Sequence, residues 1–325
     1  MRTEAIYAGL KLRTPIVAGS SGLTNSAKKN SAAEKAGAGA IVLKSLFEEQ
    51  ILMDTGSFNT HEYPKAEDYL KNYLRAGHLI DYLNLIRDTK QVCSIPIIGS
   101  INCYSSEGWI DFAHKIESAG VDALELNIFS LNTSKQFNVE EYIKLYIDIV
   151  RKVKAVVSVP IIVKIGQNHS NIVWLIEQLR LAGASAVVLF NRFYQPDIDI
   201  QEMKVNLTDV FSDPSEMYTV LRWVGIVSGK IPEIDVIAST GIHALDAPIK
   251  AILAGACAVQ VCSAIYKNDL GIISQMNTVL DEWMEKNGFA SVAEFKGKLN
   301  YAHIDNPVQY ERSQFLKYVT QRDDQ

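Results

Sequence analysis

Apolar positions in this 325-residue chain gather into short continuous runs, and four of the runs follow the same step, Ala-Gly-x-x-Ala, at residues 36–40, 119–123, 182–186 and 254–258. Each step leads into a buried-strand pattern that closes on a polar residue, at 41–44, 124–127, 187–191 and 259–263. Four further runs share that grammar, at 15–20, 96–102, 160–164 and 235–241. Between them the apolar residues recur with helical phase over 26–36, 69–90, 105–118, 139–156, 171–181, 214–228 and 244–252, several opening on Ser, Asn or Asp as N-caps. Strands rich in Ile, Val and Leu without alternation are those of a parallel sheet covered on both faces. Eight such units predict an α/β fold, a closed (β/α)8 TIM barrel, with a doubly wound open sheet as the alternative. Long connections are expected after the second strand (47–68) and the sixth (192–213). After the eighth unit the pattern predicts helices near 270–286 and 292–299. A helical tail over about 300–325 follows, with its helix at 307–319.

In a barrel the residues that close the strands converge on one mouth. Here they are Lys44, Asn102, Asn127, Lys164, Asn191 and Ser263. Composition agrees with one soluble domain spanning 1–325, since 48% hydrophobic and 21% charged residues build a large core. The net charge of −5 argues against a nucleic-acid partner, and no apolar run approaches the roughly 20 residues of a membrane span. A cytoplasmic location is expected. The four cysteines have neither CxxC spacing nor a His companion, so neither a disulfide framework nor a metal site is expected.

Two lysines at one rim, Lys44 and Lys164, suit an anion, a Schiff base, or simple solvation of the ammonium. The turns Ser239-Thr240-Gly241 and Cys262-Ser263-Ala264, after the seventh and eighth strands, fit the phosphate site common in barrels. Past the fourth strand stands Asn127-Ile128-Phe129-Ser130-Leu131-Asn132. Its amides suit a planar ring bearing carbonyl and N–H groups, with a hydroxyl placed to exchange a proton.

That segment resembles the Asn-Leu-Ser-Cys/Ser-Pro-Asn motif of the dihydroorotate dehydrogenases, FMN-dependent (β/α)8 enzymes of pyrimidine synthesis. Ala18-Gly19-Ser20-Ser21-Gly22 is similar to their first flavin loop, Lys44-Ser45 to their second-strand lysine and 160–164 to their fifth-strand lysine; the two turns above are similar to their FMN-phosphate turns. The resemblance implies FMN held by Ala18, Ser20, Ser21, Gly22, Lys44, Asn102, Asn127, Lys164, Ser239, Thr240, Gly241, Cys262, Ser263 and Ala264. It implies a small-molecule substrate held by Asn127, Asn132, Asn191 and Lys65. Ser130 would take the C5 proton of dihydroorotate while hydride passes to flavin N5, with Lys164 and Lys44 supplying positive charge. It also implies a homodimer and an external electron acceptor: fumarate, a quinone or a partner reductase.

Soluble members generally use Cys as the base and members with a membrane-associating extension use Ser; this chain has Ser130, and no such extension is expected. Lys65 stands where the family has a ligand asparagine, Arg192 replaces a small hydroxyl residue, Leu131 a proline, and 210–213 a Gly-Gly turn. Three readings follow. One is dihydroorotate oxidation; another is an FMN oxidoreductase acting on a different cyclic amide or unsaturated substrate. The third is a flavin-free barrel that uses its lysines or only binds a ligand.

Overall fold

The computed structural model describes residues 2–48, 64–103, 106–128, 135, 138–192, 195–207 and 210–311, the side chains of 64–76, 106–107 and 207 excepted. It opens with an antiparallel hairpin, β1 (Ala5–Tyr7) and β2 (Leu10–Leu12), which turns through Ala8 and Gly9, both with positive φ. Then come β3 (Ile16–Ala18), α1 (Ala27–Lys35), β4 (Ala40–Val42), β5 (Leu46–Phe47), α2 (Pro64–Val92), β6 (Ile97–Asn102), α3 (Ser106–Ser118), β7 (Ala123–Asn127) and α4 (Val139–Lys154). The second half runs β8 (Ile161–Ile165), α5 (Ile172–Leu181), β9 (Ala186–Leu189), the hairpin β10 (Pro196–Asp199) and β11 (Lys204–Leu207), α6 (Met217–Lys230), β12 (Asp235–Ser239), α7 (Ala247–Ala254) and β13 (Ala258–Val261). The helices α8 (Ser263–Asn268), α9 (Gly271–Lys286) and α10 (Val308–Glu311) complete the described chain.

Eight parallel strands form a ring in the order β3, β4, β6, β7, β8, β9, β12, β13. It closes because β13 pairs with β3, Val259 opposite Ile16 and Val261 opposite Ala18. This is the (β/α)8 barrel that the pattern predicts; an open sheet would leave those two strands unpaired. The Ala-Gly repeat has a local cause. Gly37, Gly120, Gly183 and Gly255 all have φ between 100° and 117° and end the preceding helix in the left-handed conformation before the chain turns into the next strand. Helix starts follow the expected chemistry: Ser26, Asn138 and Asn171 accept hydrogen bonds from the backbone N–H groups of Lys29, Glu141 and Trp174.

Side chains alternate across each strand, and the outward set (Ile16, Ile41, Leu124, Val163, Val187, Val259 and their neighbours) packs under the helices in one continuous core. The inward set forms layers, as barrels do. The lowest layer is apolar: Val17, Ala40, Val42, Ile98, Ala123, Ile162, Ala186, Val188, Ile237 and Ala258, closed from below by Tyr7 and Leu12 of the N-terminal hairpin. One layer up the inward positions turn polar, with Ser100, Glu125, Lys164 and Gln260 all buried.

Several expected elements differ. The first hairpin lies outside the eight-strand pattern. The connection after the second strand is shorter than expected, since α2 begins at Pro64, a residue preset for the first helical turn. The connection after the sixth holds β10 and β11. Beyond α9 the 292–299 helix reduces to a 3-10 turn at Val292–Glu294, because Gly297 has φ +73°, outside the helical region. The tail helix is described only over Val308–Glu311. Among the described residues no helix is long and apolar enough to cross a membrane.

Candidate active site

The inward alternation that makes the floor apolar makes the mouth polar. Two residues above Ala123 on β7 stands Glu125, and two above that Asn127; on β13 the same step takes Ala258 to Gln260 to Cys262. At the mouth lies a cleft of about 570 Å³ lined by Ser20, Ser21, Gly22, Lys44, Ser45, Asn102, Asn127, Lys164, Asn191, Cys262 and Ser263. An adjoining lobe of about 170 Å³ shares Ser20, Lys164, Asn191, Cys262 and Ser263 and adds Ser239, Thr240 and Gly241. The main cleft falls within the usual range of small-molecule sites, about 300–1,000 Å³.

Lys164, 8% exposed, reaches up from β8 and donates a hydrogen bond to Gln260 Oε1 at 2.9 Å. An ammonium has three donors, so two remain for the cleft. Lys44 is half-buried at the cleft wall, and its ammonium makes no hydrogen bond or ion pair with any described residue. A partly desolvated cation gains from a counter-charge, which makes this wall receptive to an anionic or electron-rich group. Opposite it, Asn191 Nδ2 donates to Asn127 Oδ1 at 2.7 Å, while Asn191 Oδ1 accepts from the backbone N–H of Arg192 at 2.9 Å. Both ends of the Asn191 amide are thereby fixed, and the Asn127 NH₂ stays available to a ligand.

The smaller lobe is bounded by the turns after β12 and β13. Thr240 and Gly241 both have positive φ, at 80° and 76°, which turns the chain sharply at the strand end. Ser212 ties the turns together: its N–H donates to Ser263 Oγ at 3.0 Å, and its Oγ accepts from the Gly241 N–H at 3.3 Å and lies 2.9 Å from His243 Nε2. Burial, then the neighbouring Lys267 charge, holds the His243 pKa below its usual value. Burial pushes the Cys262 thiol up, opposed by its hydrogen bond with Ser21 and by the Lys164 charge.

Thus Ser20, Ser21, Gly22, Lys44, Asn102, Asn127, Lys164, Asn191, Ser239, Thr240, Gly241, Cys262 and Ser263 are brought to one site. Ala18 and Ala264 are not: their side chains are buried in the core beneath the helices, on the opposite face of strand and turn, so only their backbone can face the cleft. Ser130 and Asn132 lie outside the described residues, as does the side chain of Lys65. Position 65 itself belongs to the first turn of α2 rather than to a loop. Phe211 and Tyr266, ring centroids 5.1 Å apart, line the cleft without having been among the candidate site residues, as do Ser45, Phe47 and Val210. Glu125 and Gln260 were missed too, although a carboxylate and an amide inside otherwise apolar strand runs are the signal that finds them.

The dihydroorotate dehydrogenase family model matches residues 3–284. The chain belongs to the dihydroorotate dehydrogenase family. Its membership makes it an oxidoreductase acting on CH–CH bonds. It is 29% identical over 302 residues to the protein named dihydroorotate dehydrogenase B (NAD(+)), catalytic subunit, of Thermoplasma volcanium, a match covering 89% of this chain and 96% of that relative. The protein of the same name from Thermoplasma acidophilum is 30% identical over 289 residues, covering 85% of this chain and 92% of its own length. That from Bacillus cytotoxicus is 31% identical over 214 residues, 63% of this chain and 67% of its own.

Proposed function

We propose that this chain oxidises dihydroorotate to orotate with bound FMN. The observation that carries the reading is the convergence, in one cleft, of Lys164, the Lys44 ammonium, unpaired among the described residues, and the locked Asn127–Asn191 pair. These residues fit the cofactor. Two ammonium groups face the place where an electron-rich ring edge would lie, and the Thr240-Gly241 and Cys262-Ser263 turns bound a small polar lobe suited to a phosphate. FMN, when bound, supplies a two-electron acceptor for the C6 hydride.

The chain's own residues do the rest. Asn127 and Asn191, with Asn132, hold the flat amide ring of the substrate through paired donors and acceptors. Ser130 takes the C5 proton. Lys164 and Lys44 keep positive charge against the cofactor edge, and the buried floor beneath them excludes water. Electrons leave to an external acceptor; the names of the relatives point to a partner subunit that joins the reaction to NAD⁺. The chain works as a homodimer in the cytoplasm.

Arg192 weakens the reading in which the substrate is some other cyclic amide: its guanidinium is engaged by Glu216 at 3.0 Å, so the added charge is neutralised beside the cleft. The test is anaerobic addition of dihydroorotate to FMN-loaded protein. Bleaching of the oxidised flavin band with release of orotate is expected; a band that persists would refute the substrate. In Ser130→Ala, FMN stays bound and bleaching slows by about 10²–10⁴-fold, the usual worth of a positioned base. Unchanged kinetics would remove Ser130 from the reaction.

A further inference from the structure

The polar layer inside the barrel is a connected set with a direction. Lys164 Nζ donates to Gln260 Oε1 at 2.9 Å, and Gln260 Nε2 donates to Glu125 Oε2 at 2.6 Å. The amide has one accepting and one donating end, so an ammonium on one side and a carboxylate on the other leave it a single orientation. From the other side Ser100 Oγ donates to the second carboxylate oxygen, Glu125 Oε1, at 3.4 Å. Ser100 has spent its one proton there, so Ser45 Oγ, 2.7 Å away, donates to it. Ser20 Oγ, at the cleft, lies 3.1 Å from Ser45 Oγ. Two arms therefore descend from the cleft, one from Lys164 and one from Ser20, and both end on Glu125.

Glu125 is fully buried, yet among the described residues no cation touches it. The titratable groups facing it are Tyr7 from the floor, Tyr82 from α2 and Lys164 across the amide. Burial first, and the Glu125 charge with it, raises the pKa of the Tyr7 hydroxyl well above its usual value. A buried carboxylate without a direct counter-ion is costly and is sustained only by what reaches it. Here that is a neutral amide bonded on its far side to the ammonium of the active site. Direct contact would cancel the Lys164 charge; the interposed amide holds the ammonium in place and leaves its charge facing the cleft.

We propose that Glu125 is a positioning residue of the active site: acting through Gln260, it fixes the Lys164 ammonium and sets how strongly that cation favours negative charge above it. As it concerns bound FMN, this inference rests on the function proposed above. Glu125→Gln keeps the shape of the side chain and its ability to accept from Gln260 while removing the charge.

The first measurement uses the protein without cofactor, following the rate at which Lys164 is acylated by an amine-reactive reagent at fixed pH, read by peptide mass spectrometry. Loss of the anion weakens the hold of Gln260 on the lysine and frees its side chain toward the reagent, and Glu125→Gln is expected to label about tenfold faster than the parent chain. Gln260→Met, which severs the relay from the other side, is expected to speed labelling as well and serves alone if Glu125→Gln does not fold. An unchanged rate in whichever of these folds overturns the inference. The second measurement compares the affinities for oxidised and reduced FMN. Glu125→Gln is expected to shift their ratio about tenfold toward the reduced form, whereas a merely structural role would weaken both equally and leave the ratio unmoved. A parent chain that binds no FMN would refute the proposed function, with the labelling rates still deciding the role of Glu125. A parent chain that binds FMN, with a ratio indifferent to Glu125→Gln, would refute this inference alone.

Discussion

Among the described residues the Lys164 ammonium is held by one hydrogen bond, to Gln260, and the residue is only 8% exposed. Its replacement by Met preserves length and removes the charge. Lys164→Met is expected to slow anaerobic flavin reduction by about 10²–10³-fold, the worth of one preorganised electrostatic partner, with the fold intact by circular dichroism. A rate within a factor of two of the parent would deny the lysine that role. Residues of this kind were legible because they end strands, and in a barrel strand ends are a place as well as a position. Lys44, Asn102, Asn127, Lys164 and Asn191 were all found that way. Glu125 and Gln260 were not, because they sit in mid-strand, where an apolar run reads as filler between helices. Only the two-residue alternation, counted down from Asn127 and Cys262, shows that they share the inward face with the site. The lining by Phe211, Tyr266 and Ser212 depends on how loops fold back over the mouth, which no local pattern encodes.

Elements were legible where a local rule governs them. The caps Ser26, Asn138 and Asn171 and the left-handed glycines that end helices are decided by backbone chemistry within one turn. The hairpin after β9 escaped for a physical reason: β10 and β11 join through residues 200–203 with Met203 at φ +48°, so the turn carries no Gly or Asn to announce it. The turn after β12 shows the opposite case. Gly241 has φ +76°, and a Cβ there would lie 2.3 Å from the Met217 backbone N at the start of α6. Gly241→Ala combines backbone strain with a clash against an immovable atom. It is expected to lower stability by about 2 kcal/mol or more and to loosen FMN binding; a melting temperature equal to that of the parent would contradict this.

The seam between α4 and α5 carries a pH dependence. His169 packs against Tyr142 and Tyr146 at ring-centroid distances of 5.8 and 5.2 Å, and burial pushes its pKa down to about 4 from 6.5. Between those values the unfolded chain binds the proton and the folded chain does not. Stability is therefore full above the unfolded value and declines as the pH falls through 6.5 toward 4, below which this contribution levels off. Allowing for its partial exposure, about 1–2 kcal/mol should be lost between pH 7 and pH 5. Urea titrations at the two pH values check this, and His169→Gln should remove that part of the dependence.

At the scale of the whole molecule, the hairpin after β9 carries an apolar face into solvent, with Ile198 69% and Val205 71% exposed directly opposite one another. Patches of this kind mark association surfaces, and the proposed homodimer would cover it. The double variant Ile198→Asp with Val205→Asp is expected to sediment as a monomer while keeping the barrel's circular dichroism; an unchanged sedimentation coefficient would place any dimer contact elsewhere. The barrel itself was legible as eight repeated units, yet its closure is a property of the ring and not of any unit. That closure bears on how the chain is made. The hairpin strand β1 with its Tyr7 is synthesised ahead of the barrel, yet finds its place only beneath strands that emerge much later: Ala8 N–H binds Asp235 at a separation of 227 residues, and Ile16 waits for Val259. A chain still leaving the ribosome therefore carries an open-edged curl of sheet, with the future floor of the active site wet and its first strand unpaired. The stage before β13 emerges is then the one at which unpaired edges, rather than the finished enzyme, are exposed to aggregation.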